Sequence, residues 1–307
     1  MNEAPHPGPL PTGERGSERL PLPGRERAGV RVRRPWRRAL KHVTFTVGFA
    51  ITALLLLTAV LSLGYTPRDP LEMSMEERLQ GPSEAHPLGT DQFGRDLLSR
   101  IMVGAVTAIL VGVIAVGIGV GLGALLGMLS GYFGGWLDEV FMRLMDAVQG
   151  FPAILSALLI AAVFKPGLAI TMVAIGVSFL PIFARLTRAA FLELRDREFV
   201  LAARALGAGD AAVIGRHILP NTLAPLIVQA SISFPVAILA EAALSYLGLG
   251  TQPPNPSWGL MLREAQAFLG MSPWFAVFPG TAIAVTVLGL NLLGDGLRDL
   301  LDPKMMS

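Results

Sequence analysis

Few residues of this 307-residue chain have side chains suited to acid–base or metal chemistry, and those few are scattered. Such a site needs several groups close together, and His86 and Asp91 lie near each other without a further residue to complete one. The chain contains no cysteine, which excludes a disulfide, a thiolate nucleophile and a cysteine-based metal site. We therefore predict neither a metal nor a cofactor site. The four histidines are His6, His42, His86 and His217.

The sequence also lacks the short motifs that mark nucleotide-binding and hydrolase sites. It contains no Gly-x-x-x-x-Gly-Lys-Ser/Thr phosphate-binding loop, no His-Glu-x-x-His zinc motif and no Gly-x-Ser-x-Gly nucleophile motif. A chain without these motifs is not expected to bind or hydrolyse ATP, and a membrane-embedded hydrolase is disfavoured for the same reason. We predict that the protein is not an enzyme.

Two acidic residues matter because each lies in an apolar segment. A carboxylate at the centre of a bilayer costs about 2.5–3.5 kcal/mol on insertion scales, so Asp146 and Glu241 should each have a polar partner. For Asp146 the nearest candidates are Arg143 and Gln149. Glu241 could contact a proton or a solute, but pairing within a helix bundle is favoured. A stand-alone, ion-coupled secondary transporter that uses both acids as a relay is the alternative function.

The composition places these residues in a membrane protein. The chain is 52% hydrophobic and 16% charged, with a mean hydropathy of +0.55, more apolar than a soluble core of this size requires. Apolar runs of about 20 residues are long enough to cross a bilayer core of about 30 Å. We predict an all-α membrane protein with a kink at Phe151-Pro152. Its six transmembrane helices should lie near residues 43–64, 101–131, 137–164, 167–191, 223–247 and 274–293.

The second predicted span contains a glycine at every fourth position. This spacing puts the glycines on one face of a helix, where another backbone can approach closely. We predict that this face packs against a second helix, and a face that lines a translocation path is the alternative. The glycines are Gly119, Gly123, Gly127 and Gly131.

The polar stretch before that span carries helix-start signals. Thr90 or Asp91 could cap the following helix. Asp96 and Arg100 are four residues apart, as in a pair on a helix surface. The stretch ends in the string His86-Pro-Leu-Gly-Thr-Asp-Gln-Phe-Gly-Arg-Asp-Leu-Leu-Ser-Arg100.

A second polar segment, residues 198–221, separates two strongly apolar segments. Good helix formers run to Leu206, and Gly207 supplies the permissive backbone that ends a helix. Asp210 is a favoured N-cap residue, and a second short helix should stop before Pro220. The segment therefore predicts a helix, a glycine turn and a helix.

This segment resembles the cytoplasmic loop of ABC-importer permease subunits, whose signature is Glu-Ala-Ala, three residues, Gly, nine residues and Ile-x-Leu-Pro. Leu201 occupies the Glu position and His217 the Ile position, as in the dipeptide, oligopeptide and nickel branch of the family. The string that ends at Arg100 and residues 131–143 are also similar to that branch. The matching residues are Ala202, Ala203, Gly207, Leu219 and Pro220.

The resemblance implies the fold of a type I ABC importer permease with a cytoplasmic coupling helix. The chain would be the membrane-spanning subunit of an ATP-driven importer of di- or oligopeptides or nickel. Its partners would be a second related permease, two cytoplasmic ATPase subunits and an external solute-binding protein. Leu206, Val213 and Ile214 would form an apolar knob for a groove on an ATPase subunit. The coupling residues would be Ala202, Ala203, Arg204, Gly207, Asp210, Val213, Ile214, Arg216, His217, Leu219 and Pro220.

The distribution of positive charge predicts the orientation. Nineteen of the 25 Lys and Arg residues fall before the first span or in alternate connections, including the one at Gly207, which should therefore face the cytoplasm. Residues 1–41, rich in Pro, Gly, Arg and Glu, predict a disordered cytoplasmic tail that does not bind nucleic acid. We expect a multi-pass protein of the bacterial inner membrane. Its parts would be the tail, a first helix at 42–64, an external loop at 65–100, a five-helix core at 101–300 and a cytoplasmic tail at 301–307.

Overall fold

The structure, a computed structural model, describes residues 43–301, so the predicted tail at 1–41 and residues 302–307 of the predicted tail at 301–307 lie outside the described residues. Within the described range the chain is mainly helical and has no named strand. Two π-helical turns, Gly119–Gly123 and Val213–Ile218, join consecutive helices. The helices are α1 (Val43–Ser62), α2 (Leu97–Ile118), α3 (Ala124–Phe133), α4 (Gly135–Gln149), α5 (Ala153–Val163), α6 (Leu168–Leu194), α7 (Glu198–Ala205), α8 (Asp210–Ala212), α9 (Leu219–Tyr246), α10 (Trp258–Ala265) and α11 (Trp274–Leu301).

Five helical segments in the described range are long and apolar enough to cross a membrane, and there are six if the bent pair of α4 and α5 counts as one span. The two helices of that pair meet at 87°, so the predicted kink is a break. Gly150 follows the last residue of α4, and Pro152 occupies the N-cap position of α5. Because proline has no N–H to donate to the preceding turn, one helix does not continue through this point.

The fifth predicted span begins earlier than expected. Helical backbone runs from Asp210 to Tyr246, so the prediction of a stop before Pro220 is wrong. Pro220 is the second residue of α9, directly after the π-helical turn Val213–Ile218, and the helical backbone continues through it.

Close backbone approaches hold two pairs of helices together. A Cβ atom at Gly127 would lie 2.1 Å from the Ala184 carbonyl oxygen, which confirms that the glycine face of the second span packs against another helix, α6. A Cβ atom at Gly48 of α1 would lie 2.4 Å from the Leu293 nitrogen of α11. This second approach was not predicted. Both contacts put backbone against backbone, where only glycine fits.

Candidate functional site

Residues 198–218, between α6 and α9, form a sharp turn that we call the elbow. Gly207 has φ +87°, a conformation that glycine adopts at little cost. The N–H of Gly207 donates to the Arg204 carbonyl at 2.9 Å, and the N–H of Ala208 donates to the Ala203 carbonyl at 3.0 Å. The predicted helix, glycine turn and helix are confirmed, with the second helix running on into α9.

The elbow has a buried apolar underside. Val200, Val213 and Ile218 form a cluster with Phe191 of α6 and Tyr132 of α3. Because the Val213 side chain is fully buried, the prediction that it belongs to an exposed knob is wrong. The sequence marks Val213 as apolar, but the direction of its side chain depends on the π-helical turn that it begins.

The tip of the elbow is exposed. Leu206 is 89% exposed, whereas Ile214 is partly buried against the apolar cluster. Leu206 is therefore the exposed member of the predicted knob. Among the other predicted coupling residues, Ala203 is buried, and His217 and Leu219 are half-buried. The exposed ones are Ala202, Arg204, Gly207, Asp210, Arg216 and Pro220.

Asp210 does not have its predicted role as a helix cap. It is the first residue of α8, and Gly209 takes the N-cap position without a side-chain bond. The Asp210 carboxylate instead accepts a hydrogen bond from the Tyr132 hydroxyl at 2.5 Å. The guanidinium carbon of Arg204 lies 5.4 Å from the centroid of the same tyrosine ring. Tyr132 therefore contacts residues on both sides of the Gly207 turn.

Two ion pairs link α4 to α6. The Arg188 guanidinium donates to both carboxylate oxygens of Asp138, at 2.5 and 2.6 Å. Asp146 accepts from Arg185 at 2.7 Å, so the prediction that Arg143 or Gln149 is its partner is wrong. The sequence separation of 39 residues hides this pair, which the packing of α4 beside α6 creates.

Glu241 is buried in α9 with hydroxyl partners. Its carboxylate accepts from Ser245 at 2.5 Å and from Thr251 at 3.1 Å, and the residue is 2% exposed. This arrangement agrees with structural pairing within the bundle. Asp146, in contrast, has a side chain that is 56% exposed. Two acids in such different settings give no support to a shared ion relay.

The connection between α1 and α2, residues 63–96, is called the interspan loop here, and it is fastened to α10 by buried charges. Arg95 and Arg100 are fully buried, and each donates to the same Glu264 carboxylate oxygen, at 3.2 and 3.1 Å. Asp91 accepts from Arg95 at 2.6 Å and lies 3.4 Å from the Arg100 Nε atom. Two guanidiniums and two carboxylates thus pair in a largely buried site, in which Glu264 alone is partly exposed, with 13% of its side chain accessible. We call this group the buried charge network. Sequence reasoning missed Glu264, because its partners lie more than 160 residues away.

Asp96, rather than Thr90 or Asp91, caps α2. Its carboxylate accepts from the Ser99 backbone N–H and hydroxyl, both at 2.8 Å, and lies 3.0 Å from the His86 Nδ1 atom. The predicted surface pair of Asp96 with Arg100 is therefore wrong, since both residues are buried and bind other partners. Between residues 43 and 301, no group of three or more His, Cys, Asp or Glu residues is arranged to hold a metal ion.

Comparison with known proteins identifies the relatives of this chain. Residues 123–307 match the family described as "binding-protein-dependent transport system inner membrane component". The chain is 43% identical over 277 residues to the dipeptide transport system permease protein DppC of Alkalihalophilus pseudofirmus, covering 89% of this chain and 91% of that protein. It is 44% identical over 280 residues to the glutathione transport system permease protein GsiD of Shigella flexneri serotype 5b, covering 89% and 92%.

A solved structure shares the fold. A chain of the MetNI methionine ABC transporter, determined in inward-facing conformations, superposes with a TM-score of 0.53 and 18% sequence identity. The match covers 67% of this chain and 96% of that chain. At this level of identity the likeness concerns the fold alone, which is that of a type I ABC importer permease.

Proposed function

The chain belongs to the family of binding-protein-dependent transport system inner membrane components, and from this premise we propose how it works as an ABC importer permease subunit and which solute it carries. The solute is a short peptide. The relatives of this chain include permeases named for dipeptides and for glutathione. Dipeptides and glutathione both contain peptide bonds and charged termini. No relative reported above is named for nickel. The chain is not an enzyme, and the ATPase and the solute-binding protein of the importer are separate partners.

The elbow is the site where an ATPase subunit docks, and the observation that carries this proposal is its two-sided character. One side of the elbow packs into the apolar cluster through Val213, and the other side exposes Leu206. An exposed apolar side chain on a polar turn suits an apolar groove on a partner. The importer would contain two ATPase subunits. The elbow and both termini would lie in the cytoplasm, and the excess of Lys and Arg in the termini and in the connections on the same side of the membrane supports this orientation.

A cysteine cross-linking experiment tests the docking and the orientation together. The chain has no cysteine, so Ala211→Cys, at an exposed position of α8, introduces a single thiol into the elbow. In the assembled importer it should form a cross-link to an ATPase subunit. Ala85→Cys is the matched control, because Ala85 is exposed in the interspan loop and should lie on the external side. Its thiol should react with a membrane-impermeant maleimide in whole cells and should not cross-link to the ATPase.

The reverse pattern, with Ala211→Cys labelled from outside and Ala85→Cys cross-linked, would overturn the proposed orientation. A failure of Ala211→Cys to cross-link to any ATPase subunit would overturn the docking.

The second permease subunit packs against α5, α6 and α9. These helices line an open apolar cavity of about 230 Å³, and three of its large apolar side chains, Ile154, Val236 and Leu239, are exposed. A related subunit would cover this face. Leu239→Arg should then prevent co-purification of the second permease, and unchanged co-purification would contradict the placement. The cavity is lined by residues that include Ile154, Ala157, Ile175, Phe179, Val236 and Leu239.

A further inference from the structure

Tyr132 occupies an unusual place at the end of α3. It is the penultimate residue of the helix and is 7% exposed. Its ring belongs to the cluster that contains Phe191 at the end of α6 and Val200, Val213 and Ile218 of the elbow. The ring is therefore embedded beneath the elbow, although it belongs to a membrane span 66 residues before the elbow begins.

The polar edge of Tyr132 spans the glycine turn. Its hydroxyl donates to Asp210, three residues after Gly207, at 2.5 Å. Its ring faces the guanidinium of Arg204, three residues before Gly207, at 5.4 Å. The two arms of the elbow thus touch the same side chain. A movement of either arm relative to α3 would break a charge-assisted hydrogen bond or a cation–π contact.

The helix that carries Tyr132 packs with its backbone directly against α6. A Cβ atom at Gly131 would lie 2.7 Å from the Arg188 carbonyl oxygen and 2.8 Å from the Phe191 Cβ atom. Arg195 also donates to the Gly131 carbonyl at 3.2 Å. Since these backbones are in contact, a displacement delivered to Tyr132 reaches both spans at once.

We propose that Tyr132 is the positioning residue that transmits movement of the elbow to the paired spans α3 and α6. This inference rests on the proposed docking of an ATPase at the elbow. The ATPase pushes on the exposed tip of the elbow at Leu206. The Tyr132–Asp210 hydrogen bond then makes the glycine turn and α3 move as one body. Without that bond the elbow can tilt on its apolar cluster while the spans stay in place.

The test measures solute uptake and ATP hydrolysis in the same proteoliposomes, which contain the complete importer with its binding protein and a dipeptide. Tyr132→Phe removes the hydroxyl and keeps the ring. We expect about tenfold less uptake per ATP hydrolysed, because losing a hydrogen bond to a charged acceptor changes a two-state equilibrium by at least about this factor. Asp210→Asn retains a carbonyl acceptor and should keep most of the coupling. Tyr65→Phe, at an exposed tyrosine of the interspan loop, is the matched control and should not change the ratio.

A purely structural role for Tyr132 predicts a different result. The hydroxyl would then affect only thermal stability or the yield of assembled importer, and the ratio of uptake to hydrolysis would be unchanged in Tyr132→Phe. That result would overturn the inference while leaving the docking proposal intact. Co-purification separates the two ideas, because an ATPase that fails to bind the wild-type chain overturns the docking itself. A double variant, Tyr132→Phe with Asp210→Ala, should be no less coupled than Asp210→Ala alone, and additive losses would also contradict the inference.

Discussion

The approach of Gly127 in α3 to the backbone of α6 allows a quantitative test of the packing on which coupling depends. Gly127→Ala adds one methyl group at a point where the new Cβ atom would lie 2.1 Å from the Ala184 carbonyl oxygen and 2.9 Å from the Thr187 Cβ atom. Carbon and oxygen in ordinary contact are about 3.3–3.6 Å apart. The two backbones must therefore separate by roughly 1 Å, since a backbone carbonyl cannot rotate away as a flexible side chain can.

The energetic consequence follows from that separation. A gap of about 0.5–1 Å forfeits a quarter to a half of each dispersion contact along the interface, and overpacking of this kind costs about 1–3 kcal/mol. Replacing glycine by alanine within a helix otherwise stabilises it by about 0.5–1 kcal/mol. Gly117→Ala isolates that intrinsic gain, because a Cβ atom at Gly117 in the same span would meet nothing within 4 Å. Because both variants share this gain, we expect them to differ by the overpacking cost alone, about 1–3 kcal/mol.

Thermal unfolding of the detergent-solubilised importer, followed by loss of the monodisperse peak in size-exclusion chromatography, would measure this difference. Gly127→Ala should unfold several degrees below wild type, and Gly117→Ala at or above it. Equal melting temperatures for the two variants would refute the reasoning, because they would mean that α3 and α6 are not in backbone contact at Gly127.

Two further predictions concern the interspan loop and the elbow. Glu264→Gln should destabilise the buried charge network by about 3–5 kcal/mol, since it leaves two buried guanidiniums with one carboxylate. Glu264→Gln should raise the rate of amide hydrogen exchange in the interspan loop, whereas Glu76→Gln, at an exposed position, should leave that rate unchanged. Equal exchange rates in the two variants would contradict the network's role. Gly207→Ala should cost about 1–2 kcal/mol of backbone strain, because Gly207 has φ +87°, and should lower uptake. Gly209→Ala should not lower uptake, because Gly209 has φ −72° and a Cβ atom there would meet no other atom within 4 Å. Equal uptake by these two variants would show that the glycine turn is not required.

The sequence predicts best the features that depend on local backbone chemistry. The turn at Gly207 follows from glycine's access to positive φ, and the glycine face follows from the period of the helix. The same local reasoning failed at Asp210, whose side chain finds the Tyr132 hydroxyl in place of the backbone N–H groups of its own helix. A cap prediction weighs neighbours in the chain, and this competing donor lies 78 residues away.

Side-chain pairing across the bundle could not be predicted for the same physical reason. Asp146 has two polar residues within three positions of it, yet it pairs with Arg185 of α6. Arg95 and Arg100 lie in a polar stretch with helix-start signals, and nothing in the sequence near Glu264 marks it as their partner. Their burial results from the folding of the interspan loop onto α10, a tertiary contact that no short-range pattern encodes.

The π-helical turn at Gly119–Gly123 explains how a glycine at every fourth position can stay on one face for so long. An α-helix advances about 100° per residue, so each step of four residues drifts by about 40° around the axis, and three such steps would turn the face through roughly 120°. A π-helical turn contains more residues and compensates part of this drift. The glycines at 119, 123, 127 and 131 all meet residues between 179 and 191 of α6, advancing in the same direction. The contact therefore extends along both spans, from Gly119 to Gly131 on one side and from Phe179 to Phe191 on the other. It reaches the end of α3 that holds Tyr132.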